Sequence, residues 1–181
     1  MTITIRSETV DDCPAIHALT KAAFPDSTAS EAAIIDDLRS AGALTVSLVA
    51  VDTSDPAGTI IGHVAFSPVT ITPAIETGVW LGLGPISVTP GRQRQGIGRM
   101  LIQDGLRRLA TLESVQGCVL LGNPELYNKF GFEAGRGLVL EGVPPRYFMS
   151  VSLDGGECPR GVVKFHAAFD QSLKDANTKS H

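Results

Sequence analysis

The stretch Leu83-Gly84-Pro85-Ile86-Ser87-Val88-Thr89-Pro90-Gly91-Arg92-Gln93-Arg94-Gln95-Gly96-Ile97-Gly98-Arg99 holds the densest chemistry of the chain. A short apolar run leads into a Pro/Gly turn, then a glycine-rich segment with arginines, then a helical pattern. That order brings unpaired backbone N–H groups and the positive end of a helix to one point, which suits an anionic phosphate. Arg92, Arg94 and Arg99 flank the loop glycines and read as phosphate contacts, whereas Arg107 and Arg108 read as a solvated helix face. Two other glycine-rich anion loops fail on spacing. Gly91 and Gly96 have P-loop separation, but Ile97-Gly98 stands where Lys-Ser/Thr is needed. Gly82-x-Gly84 begins a dinucleotide fingerprint, but Ser87 fills the third glycine place and no helix follows.

The bulk numbers frame this site. A chain of 181 residues suits one domain with a sizeable core. A net charge of −4 argues against a nucleic-acid binder held by phosphate contacts. It leaves room for a locally positive site. Cys13, Cys118 and Cys158 are scattered, with no CxxC or Cys/His cluster, so neither a metal site nor a disulfide framework is expected. Cys118, in Cys118-Val119-Leu120-Leu121, reads as a buried thiol. No secretory h-region opens the chain and no apolar run reaches the ~20 residues of a membrane span. The expected location is the cytoplasm, without membrane or nucleic-acid partners.

The elements that must hold the loop follow from periodicity. Residues 2–6 alternate as a first strand. A helix starts at Asp11 or Asp12 with Pro14 in its first turn and Ile16, Leu19 and Ala23 on its apolar face. Thr28-Ala29-Ser30-Glu31 has capping-box form and opens a second helix through Leu38, ended by Ala41-Gly42. Strands at 45–52 and 59–69 flank the turn chemistry of 53–58, which makes a hairpin. Residues 70–78 read as a loop and 80–88 as a strand. Gly82 and Gly84 in that strand point to a bulge or a close backbone approach to something bound. The clearest helix runs from 98 to about 113, with Leu101, Ile102, Gly105, Leu109 and Leu112 on one face. A buried strand at 117–122, a short helix at 124–129 stopped by Gly131, and strands near 147–153 and 161–166 complete the pattern. Residues 171–181 read as a mobile tail, so the expected domain is 1–170. The class is α/β (α+β mixed): a mixed, mostly antiparallel sheet with helices on both faces.

Several of these segments together resemble the GNAT superfamily of N-acyltransferases. Gln93-x-x-Gly96-x-Gly98 has the spacing of its acetyl-CoA pyrophosphate loop. The splayed strand at 83–88, the strand at 117–122 and Asn123-Pro124-Glu125-Leu126-Tyr127-Asn128-Lys129-Phe130-Gly131-Phe132 follow in the family's order. Gly62-His63-Val64-Ala65-Phe66-Ser67-Pro68-Val69, Leu121-Gly122-Asn123-Pro124 and Phe165-His166-Ala167-Ala168-Phe169 are similar to the YhbS-type branch of predicted N-acetyltransferases. The resemblance spans most of residues 3–170.

It implies an acetyl-CoA-dependent N-acetyltransferase with a cofactor cleft between two splayed strands and no metal. Gln93, Arg94, Gln95, Gly96, Ile97, Gly98 and Arg99 hold the pyrophosphate, and Ile86, Ser87 and Val88 pair with the pantetheine arm. The Val88 N–H stabilises the oxyanion and Tyr127 protonates the departing thiolate. Asn123 either bonds the pantetheine or caps the short helix. The family pattern breaks at the general base, because 80–88 contains no acid. Glu76, just upstream, is the candidate, acting through water. His63 is either a base or a hydrogen-bonded sheet histidine, and an ordered-water relay is a further route. The missing acid also keeps open a catalytically silent acyl-CoA-binding regulator, and a longer acyl chain is a third reading. The acceptor, an amine on a small molecule or a protein, is expected among residues 24–31, 67–78 and 140–148. There Asp26, Glu76 and Glu141 offer charge, while Phe24, Pro144, Pro145, Tyr147 and Phe148 offer apolar wall. A homodimer through an edge strand stays open.

Overall fold

The apolar pattern of the second strand explains the layering. In a computed structural model, which describes residues 2–27, 30–76 and 78–170, strand β2 (Val46–Asp52) is buried along nearly its whole length. Leu48 and Ala50 belong to one core with Ile97, Leu101 and Leu109 of a helix. Val49 and Val51 belong to another with Ile16 and Ile35. Side chains alternate across a strand, so a strand buried on both sides must be covered by helices on both faces.

The chain runs β1 (Ile3–Ser7), α1 (Cys13–Ala23), α2 (Glu31–Ser40), β2, β3 (Thr59–Pro68), β4 (Thr70–Thr72), β5 (Val79–Val88), α3 (Ile97–Leu109), β6 (Val115–Leu121), α4 (Pro124–Tyr127), β7 (Glu133–Ala134), β8 (Leu138–Val139), β9 (Phe148–Ser152) and β10 (Gly161–Lys164). Seven strands form one sheet in the order β1-β2-β3-β5-β6-β9-β7. Every neighbour in it is antiparallel except β5 and β6. Helix α3 covers one face, while α1 and α2 cover one end of the other.

A second, three-stranded sheet in the order β4-β10-β8 covers the rest of that face. Its core joins Ile71 and Val163 to Trp80, Val119 and Phe148 of the main sheet. The expected loop over 70–78 therefore begins with a strand, and the strand expected over 161–166 stops at Lys164 and joins this small sheet. The pairing of β4 with β10 spans ~90 residues of sequence, a contact that period-two patterning cannot reveal.

Local chemistry moves other boundaries. Ser30 caps α2 by accepting the Ala33 N–H at 3.2 Å. The expected capping-box partner Thr28 lies outside the described residues, as do Ala29, Thr77 and the tail at 171–181. Helix α3 ends at Leu109 rather than near 113. Thr111 Oγ1 takes the Arg108 carbonyl at 2.7 Å there and closes the last turn. The β2–β3 hairpin holds as expected, its turn tied by Asp55 accepting the Ala57 N–H at 3.0 Å.

Candidate active site

Strands β5 and β6 pair only from Val79 with Val115 to Gly82 with Val119. Beyond Gly82 they diverge, although β5 runs on to Val88. On its other side β5 follows β3, with a bulge: Leu83 faces Phe66 and Ile86 faces Val64, so Gly84 and Pro85 together oppose Ala65. Gly84 has φ of 136°, a conformation only glycine adopts readily. The expected bulge thus sits at Gly84. At Gly82 the close approach comes from the chain itself, since a Cβ there would lie 2.5 Å from the Phe165 ring.

Register then decides which backbone groups are free. Thr89 N–H bonds the Ile61 carbonyl at 3.0 Å, so residues 89 and 87 point their amides at β3. Ile86 and Val88 occupy the alternate positions, and their N–H and C=O groups face the gap left by β6. The Val88 carbonyl is taken by Gln93 Nε2 at 3.1 Å.

At the end of β5 the chain turns through Pro90–Arg92 into the loop. Gly96, at φ 85°, is the N-cap of α3. The first helical bond runs from the Met100 N–H to the Gly96 carbonyl. The N–H groups of Ile97, Gly98 and Arg99 therefore have no helical acceptor, and no acidic side chain occupies the first turn. Arg94, at φ 61°, and Arg99 stand at the rim. Arg92 does not join them. Its guanidinium turns away to Asp52 at 2.9 Å and pins the loop to the end of β2.

Tyr127 faces this loop from α4. Asn123 Oδ1 caps that helix by accepting the Glu125 N–H at 3.0 Å, and Pro124 fills the first helical position. The tyrosine ring packs against Phe130 and Phe132, with centroids 6.4 and 6.1 Å away. No described residue hydrogen-bonds its hydroxyl, and burial pushes its pKa above the usual phenol value.

Together these elements line a cavity of about 550 Å3. Of the expected residues it gathers Ile86, Ser87, Val88, Gln93, Arg94, Gly96, Gly98, Arg99 and Tyr127. Ser87 spends its hydroxyl on Thr20 Oγ1 at 3.1 Å. Three expected cofactor residues fall outside. Gln95 folds back on the Gly91 carbonyl, Ile97 sinks its side chain into the core at 1% exposure, and Asn123 acts as the helix cap. Ala23, Phe24, Ile102, Leu126, Lys129 and Phe130 complete the walls. The aromatic and aliphatic character of Leu126 and Phe130 was visible in sequence, but their convergence on the loop needed the fold.

Glu76 is corrected outright. It lies in an exposed bend before Val79, at the far end of β5 from Ile86 and Val88. The seven strand steps from Val79 to Ile86 alone span about 23 Å, too far for one water to relay a proton. His63 is excluded for another reason. It is fully buried beneath α1, with Nε2 2.8 Å from Ser47 Oγ and 3.4 Å from Glu8. Burial lowers its pKa and keeps the ring neutral. It is the hydrogen-bonded sheet histidine.

That buried group gives stability a pH signature. Burial pushes the Glu8 pKa up, but hydrogen bonds from His63, Arg39 and Ser47 outweigh it and hold the carboxyl below the usual range. The Arg6 guanidinium lowers Asp12 to about 2. All three groups bind fewer protons folded than unfolded, so stability must fall with falling pH. For His63 the loss begins as the unfolded ring protonates near pH ~6.5; for Glu8 and Asp12 it begins near ~4. Urea midpoints measured from pH 7.5 to 3 should fall in those two stages, and His63→Gln should remove the upper one. A flat wild-type profile above pH 5 would contradict the neutral buried ring.

Other chemistry is sparse. Among the described residues no three His, Cys, Asp or Glu side chains gather as a metal site, and no helix is long and apolar enough to cross a membrane. Cys13, Cys118 and Cys158 are free thiols, and burial pushes the Cys118 thiol up.

Residues 45–134 match the acetyltransferase (GNAT) domain model. The chain is 40% identical to the uncharacterized N-acetyltransferase YhbS of Escherichia coli K12 over 129 residues, 71% of this chain and 72% of that protein. Among solved structures, a GNAT family acetyltransferase from Brucella melitensis in complex with acetyl-CoA superimposes with a TM-score of 0.79 at 43% identity, covering 93% of this chain and 99% of that one. Escherichia coli YhbS in complex with CoA gives 0.80 at 36% identity, covering 93% and 92%. The splayed strands, the glycine loop at the start of α3 and these matches lead to one conclusion: this chain belongs to the GNAT acetyltransferase family.

Proposed function

We propose that the protein transfers an acetyl group from acetyl-CoA to a primary amine by direct attack of the amine on the thioester, with residues 1–170 acting as one acyltransferase domain. One observation carries the reading. The unbonded amides of Gly98 and Arg99 at the start of α3 open onto the same cavity as the free edge of β5 and the unpartnered hydroxyl of Tyr127. The relatives bound to acetyl-CoA and CoA support that ligand.

Acetyl-CoA supplies the activated acyl group. The N–H groups of Ile97, Gly98 and Arg99, with Arg94 and Arg99 beside them, neutralise the pyrophosphate. Ile86 offers the pantetheine amides the backbone bonds that β6 withholds. The Val88 N–H also faces the gap, where it donates to the carbonyl oxygen as negative charge develops there. Tyr127 gives its proton to the thiolate as the C–S bond breaks. Ser87 ties the strand to α1 through its hydrogen bond with Thr20.

Isothermal titration calorimetry with acetyl-CoA tests the reading. Binding near 1 μM, about −8 kcal/mol, is the expected result. A folded protein that takes up no acetyl-CoA at millimolar concentration would overturn it.

A further inference from the structure

A second cavity, of about 340 Å3, adjoins the first and shares Phe24, Ile86 and Tyr127 with it. Ile34, Leu83, Gly84, Pro85, Leu121, Phe165 and Phe169 make its remaining walls, whose side chains are apolar. Among the described residues, the one charged group lining it is Glu31, the first residue of α2. Oε1 of Glu31 accepts the Ser27 hydroxyl at 3.0 Å. Oε2 is shut off from water and has no hydrogen-bond partner. A buried carboxylate oxygen without a donor is costly, so a small turn of the side chain that brings Oε2 against a donor in the cavity is favoured.

We propose that Glu31 receives the ammonium of the acceptor, and that the acceptor is a compact primary monoamine on an apolar body. The inference rests on the acetyl-transfer reading above. The ammonium gives one proton to the Glu31 carboxylate, so its N–H bond breaks and an O–H bond forms. The freed lone pair forms the N–C bond at the thioester carbon, and the C–S bond breaks with its electrons on sulfur. Tyr127 protonates that thiolate, and the second proton shed by nitrogen returns through water to the phenolate. Glu31 then releases its proton to solvent, so the amide, the free thiol and one proton leave. Among the described residues a carboxylate on the acceptor finds only Glu31 as a charged partner and is rejected, and a second ammonium finds no second acid and is also rejected.

The test follows thiol release by the full chain saturated with acetyl-CoA, on phenethylamine, hexylamine, phenylalanine and cadaverine. The two monoamines should show kcat/KM at least about 10-fold above the other two. Glu31→Gln should lower kcat/KM for the monoamines about 100-fold, as loss of one partner of a buried charge pair does. Its acetyl-CoA affinity by calorimetry should match wild type, and Glu31→Asp should recover part of the rate. Unchanged turnover by Glu31→Gln, equal use of phenylalanine and phenethylamine, or no turnover of either monoamine by a protein that binds acetyl-CoA would each overturn the inference alone. So would loss of acetyl-CoA affinity in Glu31→Gln, which would make Glu31 a structural residue. Absence of acetyl-CoA binding by the wild type would overturn the transfer reading and this inference with it.

Discussion

Tyr127→Phe is expected to lower kcat about 100-fold, the low end of what a positioned general acid contributes, with acetyl-CoA affinity and folding stability unchanged. The substitution removes one oxygen and leaves the ring against Phe130 and Phe132. No described residue bonds that oxygen, so no internal hydrogen bond is lost. Burial raises the phenol pKa, which keeps the proton in place through the working pH range. The same shift makes the group a weaker acid. Transfer to a thiolate near pKa ~8.5 from a phenol at ~10 is already uphill by about 2 kcal/mol. The proton must therefore move while the C–S bond breaks, when sulfur is closest and most basic. Steady-state kinetics beside a urea titration separates the outcomes. An unchanged kcat would make Tyr127 a wall residue, and a lowered urea midpoint would make it a packing residue.

Gly98→Trp should abolish measurable acetyl-CoA binding, a loss of at least about 100-fold or ~2.7 kcal/mol, in a protein that still folds. Gly96 is the less informative place to block the loop, because at φ 85° any side chain strains the cap before it meets a ligand. Gly98 has ordinary helical geometry. A Cβ there would meet only Val88 Cγ2 at 3.9 Å and Ile86 Cδ1 at 4.0 Å. Those side chains line the cofactor cavity, so an indole built on that Cβ takes the ligand's space rather than the core's. Gly98→Ala gives the graded control. It should stabilise α3 by about 0.5–1 kcal/mol, since glycine costs that much in a helix, yet bind acetyl-CoA more weakly. Full affinity in Gly98→Trp would place the phosphates elsewhere.

Much of this was legible because the informative signals are local. The turn after Val88, the glycines at 96 and 98, and the proline after Asn123 each fix backbone geometry within a few residues. The splay was not legible. It depends on where the pairing of β5 with β6 stops, a parallel contact between strands separated by the whole of α3. Arg92 looked like Arg94 and Arg99 in sequence, but Asp52, 40 residues earlier, claims it. Glu76 was four positions from Trp80 and so seemed close to the chemistry. Strand direction carries the site to the other end. Glu31 lay at the edge of an expected acceptor segment without being singled out, because nothing local distinguishes a helix-opening glutamate that faces water from one that faces a cavity. Phe165 and Phe169 were noticed as part of a resemblance, and only their tertiary packing puts them on a wall.

An unpaired run of backbone donors and acceptors normally invites other chains to add to it, which is why exposed sheet edges are hazards for aggregation. Here that run lies between β3 and β6, in the interior of a seven-stranded sheet. A second polypeptide strand cannot enter beside Ile86 and Val88 without forcing β6 and α4 aside, whereas a slender, unbranched arm with amides along its length can. The fold thus leaves one unpaired backbone edge inside the sheet rather than at its rim.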